Sequence, residues 1–182
     1  MSAGAAKALT SSSSHFELFG LPPSYVLDKD RLEAAYRDIQ SRVHPDRFAH
    51  AGDAERRASL QWTTRVNEAY RTLKDPVQRG KHLLELHGVD VAFETNTQMP
   101  TEFLMQQLEL REELDAAIQK KDAAALDAMR ARLVSQKEMI QEEIGKSIDA
   151  KKDYAGAAEL VRKLMFLSKL EEEIDLAYEA VE

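Results

Sequence analysis

Five histidines and no cysteine define the reactive side chains of this 182-residue chain. Without thiolates there is no disulfide framework, no thiolate zinc site and no thiolate-bound iron–sulfur cluster. The imidazoles are His15, His44, His50, His82 and His87. His82 and His87 are five apart, which fits a shared helical face less well than four. The sequence contains no His-x-x-x-His metal pair, nucleophile–base motif or glycine-rich phosphate loop. The chain is therefore expected to be no enzyme and to hold no metal and no cofactor. One triplet stands apart, His44-Pro45-Asp46, in which an imidazole and a carboxylate flank a residue of fixed φ. An isolated loop histidine commonly caps a helix end or is simply solvated, so the elements on either side decide what the triplet means.

Upstream, Asp28 fits an N-cap, and Leu32, Tyr36, Ile39 and Val43 follow at i, i+4, i+7 and i+11. That is one apolar helical stripe, ending just before Pro45, which disfavours helix at the residue before it. Downstream, a second helix is predicted from near Asp53, with Ala58, Trp62, Val66, Ala69, Tyr70 and Leu73 on its apolar side, stopping at Asp75-Pro76. Two antiparallel helices thus enclose the triplet, and the short Phe16–Phe19 segment supplies a third apolar piece to cover them.

Charge divides the chain. Residues 15–75 carry ten basic and ten acidic side chains, whereas residues 100–182 carry twelve and nineteen, which places the whole formal charge of −7 in the second half. Turns are expected at Gly20-Leu21-Pro22-Pro23, Asp75-Pro76 and His87-Gly88-Val89-Asp90. Residues 89–99 show little periodicity and are read as a linker. Residues 1–14 lack the apolar run of a secretory signal and the arginines of a transit peptide, and are expected to form a disordered tail on a cytoplasmic protein. A negative chain without 18 uninterrupted apolar residues argues against a general nucleic-acid binder and against a membrane span.

Ala35-Tyr36-Arg37, His44-Pro45-Asp46-Arg47 and the run Asn67-Glu68-Ala69-Tyr70-Arg71-Thr72-Leu73-Lys74-Asp75-Pro76 together resemble a J-domain, the module by which co-chaperones stimulate the ATPase of DnaK-type chaperones. The resemblance implies that the loop docks on the chaperone and that ATP is hydrolysed there, not here. It makes His44, Pro45 and Asp46 the coupling residues and Arg37 and Arg47 flanking electrostatic contacts. The chemistry suits this: Pro45 stiffens the loop before docking, and Asp46 can accept charge-assisted bonds from an arginine on the partner. Glu33 and Asp38 stand where many J-domains are basic, which favours a specialised chaperone over broad electrostatic recognition.

The second half predicts a three-helix bundle with stripes of Phe103, Leu110, Leu114 and Ile118, of Leu126, Met129, Leu133, Ile140 and Ile144, and of Leu160, Leu164, Leu167, Leu170, Ile174, Tyr178 and Val181. Asp153 fits the N-cap of the last helix. With Phe103 at 0° and about 100° per residue, Leu104, Leu108 and Met105 fall near 100°, 140° and 200°, beside Glu112 near 180° and Glu109 near 240°. Phe166 lies roughly 90° from the centre of its own stripe. These residues form a second apolar patch with a carboxylate rim, the composition of a binding site.

The runs from Phe103 to Leu114 and from Val161 to Leu167 resemble the C-terminal domain of the HscB family, J-type co-chaperones dedicated to iron–sulfur cluster assembly, and the likeness extends from His15 to the C-terminus. It implies an all-α protein with a tail at 1–14, a J-domain and following helix at 15–88, a linker at 89–99 and a three-helix scaffold-binding domain at 100–182. The implied partners are an IscU-type scaffold, held by Leu104, Met105, Leu108, Glu109, Glu112 and Phe166, and an HscA-type DnaK-family chaperone. Neither a nucleic acid nor a membrane is implied as a partner. Ala116 stands where the family pattern has a further carboxylate, and the cysteine-rich module of some eukaryotic members is absent, which favours a bacterial-type protein. The competing readings are a general J-protein and a helical adaptor with another client.

Overall fold

The computed structural model describes residues 14–91 and 100–181, with the side chains of 179–181 left aside. By packing, the chain divides into two compact units, Met1–Arg79 and Gly80–Glu182. Among the described residues every regular element is a helix, and none is long and apolar enough to cross a membrane. Most of the expected tail and residues 92–99 of the expected linker lie outside the described residues. The start of that linker is packed: Val89 N–H bonds the Leu84 carbonyl at 2.9 Å, and Val91 is buried.

In the first unit, α1 (His15–Leu18) opens with Ser14, which composition had placed in the tail. Its hydroxyl accepts from Glu17 N–H, while Glu17 reaches back to Ser14 N–H, a reciprocal capping box. Phe16, Leu18 and Phe19 are buried, and α1 packs on α3. Gly20 then turns the chain at φ +63°, a left-handed conformation that suits glycine. Helix α2 (Lys29–Val43) starts where Asp28 accepts from Arg31 N–H at 3.0 Å and stops one residue before His44-Pro45. A short 3₁₀ turn (Pro45–Phe48) leads to α3 (Asp53–Lys74), which packs along α2. On α3 the buried positions are Ser59, Val66, Ala69 and Leu73; Ala58, expected inside, is exposed, and the hydroxyl of Ser59 takes the interior place.

Helix α4 (Pro76–Leu86) crosses the division between the units, which falls ahead of the expected linker. Its Arg79 is 7 % exposed. The guanidinium donates to the Tyr25 carbonyl at 2.9 Å and to the Leu73 carbonyl at 2.6 Å, and lies 4.9 Å from the Tyr25 ring centre. One buried arginine thereby satisfies a carbonyl in the last turn of α3 and the loop ahead of α2.

The second unit is built on α5 (Thr101–Lys120), α6 (Ala123–Gly145) and α7 (Tyr154–Val181), which pack on one another as the stripes require. Leu114, Leu126, Met129, Leu133, Leu167, Leu170 and Ile174 form the centre of a buried cluster, with Leu110, Ile118, Ile140 and Tyr178 at its margin. The burial of Val181 lies outside the described residues. Lys121 at φ +52° turns the chain between α5 and α6, and Asp122 accepts from Ala125 N–H at 3.0 Å. Helix α6 runs on into a π turn (Lys146–Lys151), which the period did not announce, before Asp153 caps α7 through Gly156 N–H at 3.0 Å.

Ion pairs such as Arg132–Glu113 at 2.6 Å and Arg130–Asp175 at 3.5 Å lie on the outside, with side chains about half exposed. Such pairs contribute about 0–1 kcal/mol each, against roughly 1.5–3 kcal/mol for each large apolar side chain buried. The apolar cluster therefore holds the bundle. In the first unit the exception is Arg79, whose bonds are sheltered from water. Arg79→Met should lower unfolding stability by about 3 kcal/mol, read as a fall in the urea midpoint; a change under about 0.5 kcal/mol, the range of ordinary surface substitutions, would refute that role.

Candidate functional site

Pro45 creates a hydrogen-bonding problem at the end of α2. A helical continuation would have Ser41 C=O accept from N–H of residue 45, which proline lacks. Its place is taken by the Arg47 guanidinium, which donates to the Ser41 carbonyl at 3.1 Å. His44 leaves the helical region at φ −57°, ψ 131°, as a residue before proline should. Arg47 N–H then bonds the His44 carbonyl at 3.1 Å, and Asp46 N–H donates to His44 Nδ1 at 3.3 Å. In the neutral ring, Nδ1 as acceptor puts the proton on Nε2. The Asp46 carboxylate lies 3.5 Å from Nδ1 and its side chain is 90 % exposed. The loop is thus locally braced and presents an imidazole, a proline ring and a carboxylate to solvent.

Arg37 and Arg47 differ in setting. Arg47 is tied to α2 as described, whereas exposed Arg37 donates Nε–H to Glu33 at 2.9 Å. Arg42 pairs with Asp38 in the same way at 2.7 Å. The two carboxylates that depart from a basic helix thus neutralise neighbouring arginines. Glu33 also accepts from the Tyr70 hydroxyl on α3. The Tyr36 and Tyr70 rings stack at 4.0 Å, and Tyr36 hydroxyl donates to Asn67 at 3.0 Å. The Tyr70 bond, then Arg37, hold the Glu33 carboxyl below its ordinary value of 4.5, and the same bond raises the Tyr70 phenol above 10.0.

On the second unit, Leu104, Met105 and Leu108 are 47 %, 59 % and 58 % exposed, and Glu109 and Glu112 are exposed beside them. The rotation about α5 that buries Phe103 and Leu114 carries these residues outward. Phe166 is a correction. Its angular offset grouped it with the exposed patch, yet it is only 6 % exposed, because its ring meets Phe103 edge to face at 5.6 Å and 82°. The cluster is wider than the α7 stripe. Phe166 and Glu109 do line one cleft of about 630 Å³, together with Leu110, Met139 and Lys163. The structure therefore gathers Leu104, Met105, Leu108 and Glu112 on an open face, and places Phe166 at the lining of the cleft that Glu109 borders.

Two features were missed by the sequence reading: the Arg47 bond to Ser41, and the side chains on α3 that reach the loop. Ser59 Oγ donates to the Val43 carbonyl at 2.6 Å and Thr63 Oγ1 donates to it at 3.2 Å. Their only trace in sequence is a hydroxyl pair at i and i+4. Among the described residues no group of three or more histidines or carboxylates is placed to hold a metal ion.

Comparison with known proteins gives a consistent result. Residues 99–175 match the family model described as the HSCB C-terminal oligomerisation domain. A protein named co-chaperone protein HscB homolog from Burkholderia cenocepacia is 49% identical over 169 residues, 93% of this chain and 96% of that protein. Among solved structures, chaperone HscB from Vibrio cholerae superposes with a TM-score of 0.82 at 34% identity, covering 93% of this chain and 100% of that one. Human co-chaperone protein HscB gives 0.87 at 29% identity, covering 93% and 84%.

The Glu33–Tyr70 bond is a measurable tie between α2 and α3. Since it depresses the folded-state value of Glu33, its stabilisation is complete above 4.5 and is lost as pH falls through the lower folded midpoint. Side-chain carboxyl NMR should place the Glu33 midpoint below 4.5, and Tyr70→Phe should move it upward; an unmoved midpoint would show that Tyr70 is not the principal cause.

Proposed function

The chain belongs to the HscB family of co-chaperones, and from that membership we propose that it joins an IscU-type iron–sulfur scaffold to an HscA-type DnaK-family chaperone in a bacterial cytoplasm. In this reading the scaffold is held by the second unit, through Leu104, Met105, Leu108, Glu109, Glu112 and Phe166. The chaperone is met by the first unit, through His44, Pro45, Asp46, Arg37 and Arg47, and its ATPase is stimulated on docking. The chain itself hydrolyses nothing and carries no cluster.

The observation that supports this most is the braced His44–Asp46 loop on one compact unit and the apolar, acid-rimmed face on the other. A loop already ordered loses little entropy on docking. Three exposed apolar side chains bordered by carboxylates suit a partner surface with an apolar centre and basic edges. Neither surface needs a bond-making group, which fits coupling of two partners and not catalysis.

Stimulation of an HscA-type chaperone's ATPase, with and without scaffold, is the direct test. His44→Gln should abolish stimulation and leave scaffold binding unchanged; stimulation equal to the parent would remove the J-domain role. Leu104→Ala/Leu108→Ala should weaken scaffold binding by about tenfold or more, each tenfold being 1.4 kcal/mol, with stability unchanged because both side chains are exposed. Unaltered affinity would sink that assignment. Phe166→Ala is a poor probe, since emptying a buried phenylalanine site costs about 3–5 kcal/mol of stability.

A further inference from the structure

Serine and threonine within a helix usually return their hydroxyl to a carbonyl of their own helix, four residues back. Thr64 does so, donating to the Leu60 carbonyl at 3.0 Å. Ser59 and Thr63 do not. Both hydroxyls leave α3 and converge on one acceptor of α2, the carbonyl of Val43, at 2.6 Å and 3.2 Å. That carbonyl belongs to the last residue of the helix, next to His44. Its ordinary helical donor would be Arg47 N–H, which is diverted to the His44 carbonyl at 3.1 Å by the 3₁₀ turn. Both lone pairs of Val43 C=O are instead filled from the neighbouring helix.

The burial is uneven in an informative way. No residue of the Pro45–Phe48 turn is fully buried, and only Pro45 and Phe48 are half-buried where the turn packs against α3. Ser59, by contrast, is 4 % exposed, on a helix side where the period alone would place an apolar residue. A buried hydroxyl is retained only with its bond made, because desolvation without a partner is unfavourable. The other braces of the loop, His44 to Asp46 and Arg47 to Ser41, connect it to itself and to α2. The Ser59 and Thr63 bonds, by contrast, join the residue before the triplet to α3.

We propose that Ser59 and Thr63 are positioning residues for the His44-Pro45-Asp46 loop, clamping the carbonyl on which the loop is mounted and so presetting its place against α3 for the chaperone. This rests on the proposed docking of that loop, and it goes beyond that reading by assigning a role to two residues that touch no partner. Without the clamp the loop remains intact in chemistry but samples more orientations, and docking must restrict them. The loss therefore falls on apparent affinity and not on the rate reached at saturation.

The test uses the full chain with Ser59→Ala/Thr63→Val, which removes both hydroxyls at nearly constant shape, and Ser59→Ala/Thr63→Ser, which keeps one. Backbone ¹⁵N relaxation needs no chaperone: order parameters of His44, Asp46 and Arg47 should fall in the first variant and recover in the second, with those of α6 unchanged. In titrations of chaperone ATPase stimulation, the first variant should need about tenfold more protein for half-maximal effect, with an unchanged maximum, and the second should recover most of it. Scaffold affinity should match the parent throughout. Unchanged order parameters overturn the clamp, as does a looser loop with the parent's half-maximal concentration, or a loss of maximal rate that Thr63→Ser fails to restore. If the parent itself gives no stimulation, the proposed function fails, and the relaxation measurement still decides whether the hydroxyls order the loop. Should the double variant unfold, Ser59→Ala alone gives the same two readouts.

Discussion

Pro45 has no N–H to donate and disfavours helical backbone at His44, so α2 must end where it does. That ending leaves backbone groups that the helix would have paired, and the surrounding structure is organised around re-pairing them. Ser41 C=O turns to the Arg47 guanidinium, Asp46 N–H to the His44 ring, and Val43 C=O to two hydroxyls of α3. Arg47 thus has a structural use besides any contact with a partner. The loop is held without full burial of its own side chains, because its polar groups are satisfied locally and by the adjacent helix.

The two helices that carry the loop are joined by polar contacts as well as apolar ones. Tyr36, Gln40 and Asn67 form one chain of bonds, Glu33, Arg37 and Tyr70 another, and the two tyrosine rings stack between them. Leu32 alone on α2 is fully buried, while Val66, Ala69 and Leu73 of α3 supply much of the apolar side. The second unit follows the opposite rule. Its helices bury wide apolar faces and keep most charge outside, with Arg162 of α7 a buried exception, so α5 can expose Leu104, Met105 and Leu108 without loss of its core contacts. An exposed apolar face is tolerated there because other residues of the same helix already anchor it.

Legibility in the sequence followed the range of the interactions. Asp28, Asp122 and Asp153 each cap a helix through an N–H three residues on, and the stop before Pro45 depends on adjacent residues. Such features are local and can be read directly; Asp28, Asp153 and the Pro45 stop were. Leu104, Met105 and Leu108 were legible as outward-facing because the helical period relates them to Phe103 over a few residues. Ser14 was misplaced, since a run of serines has the same composition whether it caps a helix or trails from one. Ala58 and Ser59 were exchanged because adjacent positions differ by only about 100° around the axis, and the packing partner settles which one turns inward.

The linear chain, through its periodicity, caps and proline breaks, was sufficient to specify an all-helical architecture with a helix–loop–helix module and a three-helix bundle, and its two motifs sufficed to identify the family. Those features arise from forces acting within one or two turns of a helix, so they are written in neighbouring residues. The burial of Phe166 beneath Phe103, the reach of Arg79 to Tyr25 and Leu73, and the meeting of Ser59 and Thr63 with the Val43 carbonyl were set by how separate helices rotate and approach. No local pattern encodes those rotations. They follow from filling a shared interior and pairing every sheltered polar group at once, a condition that exists only when the helices are assembled.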